Sequence, residues 1–261
     1  MGRLLAFLRL YGWALGSIVL LVAVYLLPPD TSLSQIRRAG VLTACVPASR
    51  PPLVTGDAEQ PGLEIELLET IAAEIGVRFR ANTIATMGED FDPSLWRVTR
   101  AQCAVIAGGL LDSPATRGFL DVSPSFAESG WMALTPTAGE SLNGRTAAVL
   151  ANVAGANRLA LSRFLRDENV AIRLMRTTDD VAEALTSGTA EIAITDALYA
   201  RALAAELGYA LTPLPPPLEA TPLVFGLWKG DLTLKRAISG AFARIRADGR
   251  LDALVEKYLG D

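Results

Sequence analysis

One stretch in the middle of the chain constrains its fold more than any other: Ala104-Val-Ile-Ala-Gly-Gly-Leu-Leu-Asp-Ser-Pro-Ala-Thr-Arg-Gly-Phe-Leu-Asp-Val-Ser123. It begins as an unbroken apolar run, the pattern of a strand covered on both faces in a parallel sheet. The run breaks at Gly108-Gly109, where the missing side chains let another backbone or a ligand come close. Asp112, Ser113 and Pro114 then signal a helix start, a capping residue followed by an N1 proline. Arg117 falls just inside that helix, beside free backbone N–H groups. The segment therefore predicts capture of a small anion at the carboxyl end of a strand, with Gly108, Gly109, Ser113 and Arg117 as candidate ligand-binding residues.

Around this segment strands alternate with helices. Residues 41–46 read as a strand. Residues 62–75 read as an amphipathic helix, with Leu63, Leu67, Ile71 and Ile75 four apart. Glu64 and Glu66 are expected in its exposed first turn, where carboxylates suit the helix dipole. Gly76 is its predicted C-cap, followed by a strand over 77–81. A short helical stretch over 95–102 leads into the central run, and 129–134 is another strand. After a loop marked by Pro136, Gly139 and Asn143-Gly144, a second series is predicted: strands over 146–150, 171–175 and 192–195, and helices over 154–167, 179–187 and 198–207. The tract from Pro213 to Pro217 is a stiff connection. A strand over 221–228 and helices over 232–247 and 251–259 close the chain. Two α/β series joined by two extended crossings predict two lobes with a cleft between them, a common setting for small-molecule sites.

Composition excludes several functions. The 261 residues include no histidine, which removes the usual zinc sites, Ser-His-Asp triads, Cys-His pairs and histidine bases. The expectation is a protein that is not an enzyme and carries no cofactor or metal. The formal net charge is −4 and the basic residues are scattered, so no basic stripe offers itself to nucleic acid.

At the N-terminus, Arg3 and Arg9 precede an apolar run from Leu10 to Leu27, closed by Pro28-Pro29-Asp30. At about 1.5 Å per residue such a run just crosses a bilayer. Tyr25, Leu26 and Leu27 stand where a cleaved leader would carry small residues, and no lipidation cysteine lies nearby. The segment is therefore expected to be an uncleaved transmembrane anchor, although Arg37 and Arg38 beyond it leave its orientation weakly determined. Two cysteines remain, Cys45 and Cys103, each in an apolar, strand-like stretch. If the strands are neighbours in a parallel sheet, a disulfide can close a long loop between them. The alternative is two buried thiols; exposure of an anchored domain to an oxidising compartment favours the bridge.

Five segments in series resemble the periplasmic solute-binding proteins of family 3, the polar amino-acid type of the ABC transporters. Gly62-Leu-Glu-Ile-Glu-Leu67 is similar to the family's Gly-Phe-Asp-Val-Asp-Leu helix start. Ala104–Ser123, running on to Phe126, resembles its strand, binding loop, arginine helix and following strand. Gly188-Thr-Ala-Glu-Ile-Ala-Ile-Thr-Asp196 looks like its Gly-x-x-Asp-Ala-x-x-x-Asp segment. Val224-Phe-Gly-Leu-Trp-Lys-Gly230 resembles its second crossing strand, and residues 247–260 its closing helix. The resemblance implies that Arg117 forks a substrate carboxylate and that Asp196 holds an α-ammonium group; the alternatives are a solvated helix arginine for Arg117 and an N-cap for Asp196. The chain departs from the family pattern in four places. Arg50-Pro-Pro-Leu53 replaces a stacking aromatic ring, and Leu110 and Leu111 replace a threonine. The loop to the arginine is one residue longer, and the second-lobe anion loop, Ala151-Asn-Val-Ala-Gly155, keeps only Asn152 as a polar candidate ligand residue.

The expected fold is thus α/β, a two-lobed type II periplasmic-binding-protein fold preceded by one N-terminal transmembrane helix. The expected organisation is a cytoplasmic N-terminus (1–9), an anchor in the inner membrane (10–27) and a linker (28–40). Lobe 1 covers 41–128 and 227–261, lobe 2 covers 135–221, and hinge strands cover 129–134 and 222–226. The C-terminal domain would lie in the periplasm. Three functions fit: a tethered binding protein passing a small carboxylate or amino acid to a transporter permease or a sensor; an accessory subunit of a larger membrane complex with a degenerate cleft; and a dehydratase using Glu64 or Glu66 as acid or base.

Overall fold

The computed structural model describes residues 13, 16–22, 30–87, 93–150, 157–218 and 220–260. It divides into two units, Met1–Thr31 and Ser32–Asp261. In the first, residues 16–22 are helical; the remainder of the expected span 10–27, apart from Trp13, lies outside the described residues, as does Asn152. Among the described residues no helix is long and apolar enough to cross a membrane.

The second unit contains two sheets with helices against them. The first sheet is built from β1 (Val41–Val46), β2 (Arg78–Thr83), β3 (Val105–Leu111), β4 (Asp121–Val122), β5 (Ala127–Ser129) and β11 (Thr221–Leu227), in the order β2-β1-β3-β11-β4, with β5 also on β11. The second contains β6 (Trp131–Thr135), β7 (Thr146–Val149), β8 (Ala171–Leu174), β9 (Ile192–Asp196) and β10 (Ala210–Pro213), in the order β10-β6-β9-β7-β8. The chain passes from the first sheet to the second at Gly130, between β5 and β6. It returns between β10 and β11, through the proline-rich residues 214–218. The expected hinge segment 222–226 lies wholly within β11, whose first half pairs with β5 and β3.

β3 is buried along its whole length, as an apolar run flanked on both sides requires. Its neighbours are β1, parallel, and β11, antiparallel. The β1–β3 adjacency brings Cys45 and Cys103 together, and they form a disulfide with Cα atoms 5.5 Å apart.

The helices of the unit are α1 (Ser32–Ala39), α2 (Leu63–Ile75), α3 (Pro114–Phe119), α4 (Arg158–Asp167), α5 (Thr178–Thr186), α6 (Ala197–Leu207), α7 (Leu232–Ala247) and α8 (Arg250–Leu259). In α2 the stripe Leu63, Leu67 and Ile71 is fully buried, each side chain contributing about 2 kcal/mol. Gly76 caps it in the left-handed region at φ 85°. α7 and α8 pack on α2, which fixes the end of the chain to the first lobe. Phe225 of β11 stacks on Phe126 (4.9 Å between centroids) and meets Phe242 of α7 at 6.1 Å.

One local expectation is corrected and one strand is added. The segment 95–102 is not a helix: only Pro93–Leu95 forms a 3₁₀ turn. Arg97 then takes φ 55°, which interrupts helical progression, and Thr99 spends its N–H on the Gln102 side chain. The residues 210–213, which have no strand-like alternation, form β10 by pairing antiparallel with β6.

Candidate functional site

The site is assembled around the loop that follows β1. Arg50 and Val54 form a small bridge, the N–H of Arg50 donating to the Val54 carbonyl (2.6 Å) and that of Leu53 to the Arg50 carbonyl (2.9 Å). The loop also caps α2, because the Pro52 and Leu53 carbonyls accept from the N–H groups of Leu63 and Glu64. That close approach needs glycine at 62, where a Cβ would sit 2.3 Å from the Leu53 carbonyl oxygen. One consequence is a fixed exit for the Arg50 side chain. Another is a first turn of α2 turned into the lobe rather than towards water.

Glu64 is therefore fully buried, and the expectation of an exposed carboxylate is corrected. Its two oxygens accept from the backbone N–H groups of Gly108 (2.5 Å) and Gly109 (2.9 Å). The glycine break in β3 does offer its amides to a carboxyl group, but that group is the protein's own side chain. Burial pushes the Glu64 carboxyl up to about 7, only partly offset by the two amides and by the nearby Arg50 charge. Glu66 lies apart, bound by Lys257 and the Tyr258 hydroxyl, both at 2.7 Å.

Arg50 reaches from the first lobe to the second. Its guanidinium lies 3.9 Å from Asp196 Oδ2, with the two side chains only 6% and 2% exposed, and 5.6 Å from the centre of the Tyr199 ring. Space for it comes from Gly109, where a Cβ would lie 2.5 Å from Arg50 Nε. Asp196 ends β9 and caps α6: Oδ1 accepts from the Leu198 N–H (3.0 Å) and from the Ser129 hydroxyl (3.3 Å). Oδ2, and the neighbouring Thr195 Oγ1, are buried with no hydrogen bond. Burial raises the Asp196 carboxyl, against the pull of Arg50, the backbone amides that open α6 and Ser129.

The remaining candidates fall elsewhere. Ser113 caps α3, accepting from the Thr116 N–H at 3.3 Å. Arg117 is exposed and forked onto Asp112 (2.5 and 2.7 Å), so its guanidinium already holds a carboxylate in the geometry that the resemblance assigns to a substrate. Asp196 and Gly109 are brought together through Arg50, a residue not among the sequence candidates. Its signal was the replacement of an aromatic ring by Arg50-Pro-Pro-Leu53. Among the described residues no group of acidic or cysteine side chains could hold a metal ion.

A model of the bacterial extracellular solute-binding proteins, family 3, matches residues 42–261. No curated protein matches the chain. Several solved structures share the two-lobed architecture at low identity. One is an ancestral amino acid-binding protein, a precursor of cyclohexadienyl dehydratase, with TM-score 0.69, 21% identity, and coverage of 87% of this chain and 98% of that one. Another is the substrate-binding protein of an ABC uptake transporter from Streptococcus pneumoniae with bound histidine, with TM-score 0.69, 18% identity, and coverage of 89% and 97%. A third is an ancestral arginine-binding protein bound to arginine, with TM-score 0.66, 20% identity, and coverage of 85% and 99%.

Proposed function

The chain belongs to the bacterial extracellular solute-binding proteins, family 3, and from that premise we propose that it is a membrane-tethered binding protein for a small carboxylate or amino-acid-like solute. It would close its two lobes over the solute and present it to a transporter permease. The observation that carries this reading is the buried polar cluster between the lobes. Arg50 comes from one side and Asp196 and Tyr199 from the other, and Asp196 Oδ2 lies buried without a hydrogen bond. Buried polar atoms left unpaired are costly, and a ligand group supplies the missing bonds. Structural neighbours of the same fold hold histidine or arginine.

The tether rests on the apolar run from Leu10 to Leu27, which would leave the C-terminal domain in the periplasm and the protein in the inner membrane. Thermal shift and calorimetry against matched sets of carboxylates and amino acids test the binding reading; no response from any solute removes it. Failure of alkaline carbonate to release the protein, with an N-terminal peptide that includes residues before Pro28, is expected for the tether. A mature N-terminus at or beyond Pro28 overturns it.

A second reading, an accessory subunit of a membrane complex, is favoured by one observation: Asp112 occupies Arg117 internally. Co-purification with a larger complex from detergent, without solute binding, supports it. A dehydratase finds less support, since both Glu64 oxygens are taken by backbone amides and Glu66 is bound by Lys257 and Tyr258.

A further inference from the structure

The chemistry around Asp196 is that of a seat for a cation. A buried carboxylate and an aromatic ring both stand against one guanidinium, the pairing that holds an ammonium or guanidinium group. The seat is already taken. Arg50 lies 3.9 Å from Asp196 Oδ2 and over the Tyr199 ring at 5.6 Å, and the backbone makes room for it at Gly109, where any Cβ would meet its Nε at 2.5 Å. The first lobe thus delivers a positive charge to the second lobe's acidic group across the cleft, as a bound solute would.

We propose that Arg50 is a tethered occupant of the cation seat formed by Asp196 and Tyr199, so that the cleft selects against free α-amino acids and admits them only when Arg50 is withdrawn. This rests on the solute-binding reading above and names its specificity-determining residue. A ligand ammonium placed at Asp196 would share one buried carboxylate with a guanidinium, and two cations so close in a poorly solvated site repel strongly. Glu64, the other buried carboxyl near Arg50, already accepts from the Gly108 and Gly109 amides through its two oxygens. The 3.9 Å separation is a charge pair rather than a short hydrogen-bonded fork. Asp196 Oδ2 therefore keeps its capacity to accept a bond, and removing Arg50 leaves a carboxylate ready for another cation.

The test is calorimetry with the twenty L-amino acids and with amine-free partners of matched carbon skeleton (propionate beside alanine, succinate beside aspartate, glutarate beside glutamate). The proteins are the full-length wild type and its Arg50→Ala and Arg50→Gln variants, with circular dichroism as the check on folding. Arg50→Gln keeps most of the side-chain length if the shorter variant fails to fold. Expected is a gain of at least about tenfold in affinity for one or more amino acids in an Arg50 variant, with no such gain for the amine-free acids. Adding Asp196→Asn to that variant should abolish the gain. Unchanged amino-acid affinities, or an amino acid that binds the wild type and is weakened by Arg50→Gln, overturn the proposal. A wild type that binds nothing, beside an Arg50 variant that gains amino acids, removes the solute-binding reading and keeps this one. A wild type that binds an amine-free acid, with no gain in the variants, does the reverse.

Discussion

Replacing Glu64 by glutamine should remove most of a pH dependence of stability that the wild type shows in the mildly acidic range. The carboxyl is fully buried, and desolvation outweighs the two glycine amides and Arg50, so the folded protein holds this proton up to about pH 7 instead of 4.5. Between those values the folded state binds a proton that the unfolded chain has released. Folding is then favoured by acid: the contribution is complete below 4.5 and disappears as the pH rises through about 7. At about 1.4 kcal/mol per pH unit it amounts to about 3 kcal/mol, a large share of the stability of an ordinary domain. Asp196, also raised by burial, acts with the same sign, and a chain with no histidine has no imidazole to oppose them. Urea unfolding of the full chain, followed by tryptophan fluorescence at steps of about half a pH unit between about pH 4.5 and 8, measures the slope. The wild type should lose stability steadily up to neutrality and then level off, whereas Glu64→Gln should be much flatter. Parallel curves for the two proteins, or a wild type that gains stability with rising pH, would refute the reasoning.

Gly109→Ala should destabilise the protein more than Gly76→Ala. Both residues have positive φ, worth about 1–2 kcal/mol to a residue with a Cβ, but the space at Gly76 is open while the new methyl at 109 displaces the buried Arg50. Equal unfolding midpoints would contradict this. The Cys45–Cys103 disulfide closes a sequence separation of 58, which loop-closure entropy values at about 4 kcal/mol. Thiol labelling of the denatured, unreduced protein should find no free cysteine, and reduction should lower the urea midpoint; two labelled thiols would remove the bridge.

Much of the fold was legible because it depends on local patterns. The apolar run of β3, the four-residue spacing in α2 and the terminating Gly76 each read correctly from adjacent residues. The site was less legible because its contacts are distant in sequence. The periodicity of α2 puts Glu64 beside the buried stripe, not in it. Only the amides of Gly108 and Gly109, 44 and 45 positions away, show that the carboxylate turns inward. Arg50 was visible as a departure from a family pattern, but its contact with Asp196 needs both lobes in place. β10 escaped notice because antiparallel pairing with β6, not its own composition, makes it a strand.

The position of β11 imposes an order on the making of the molecule. β11 sits between β3 and β4 in the first sheet, yet its residues, Thr221–Leu227, are synthesised about a hundred positions after both. The second lobe is a continuous stretch and can form as soon as β10 is made, whereas the first must wait with an open gap beside its most apolar strand. Until β11 arrives, β3 presents an unpaired edge, the kind of surface that recruits other chains. The first lobe begins first and finishes last, so truncation within the final forty or so residues removes the closing strand or helices of the lobe at the opposite end of the sequence.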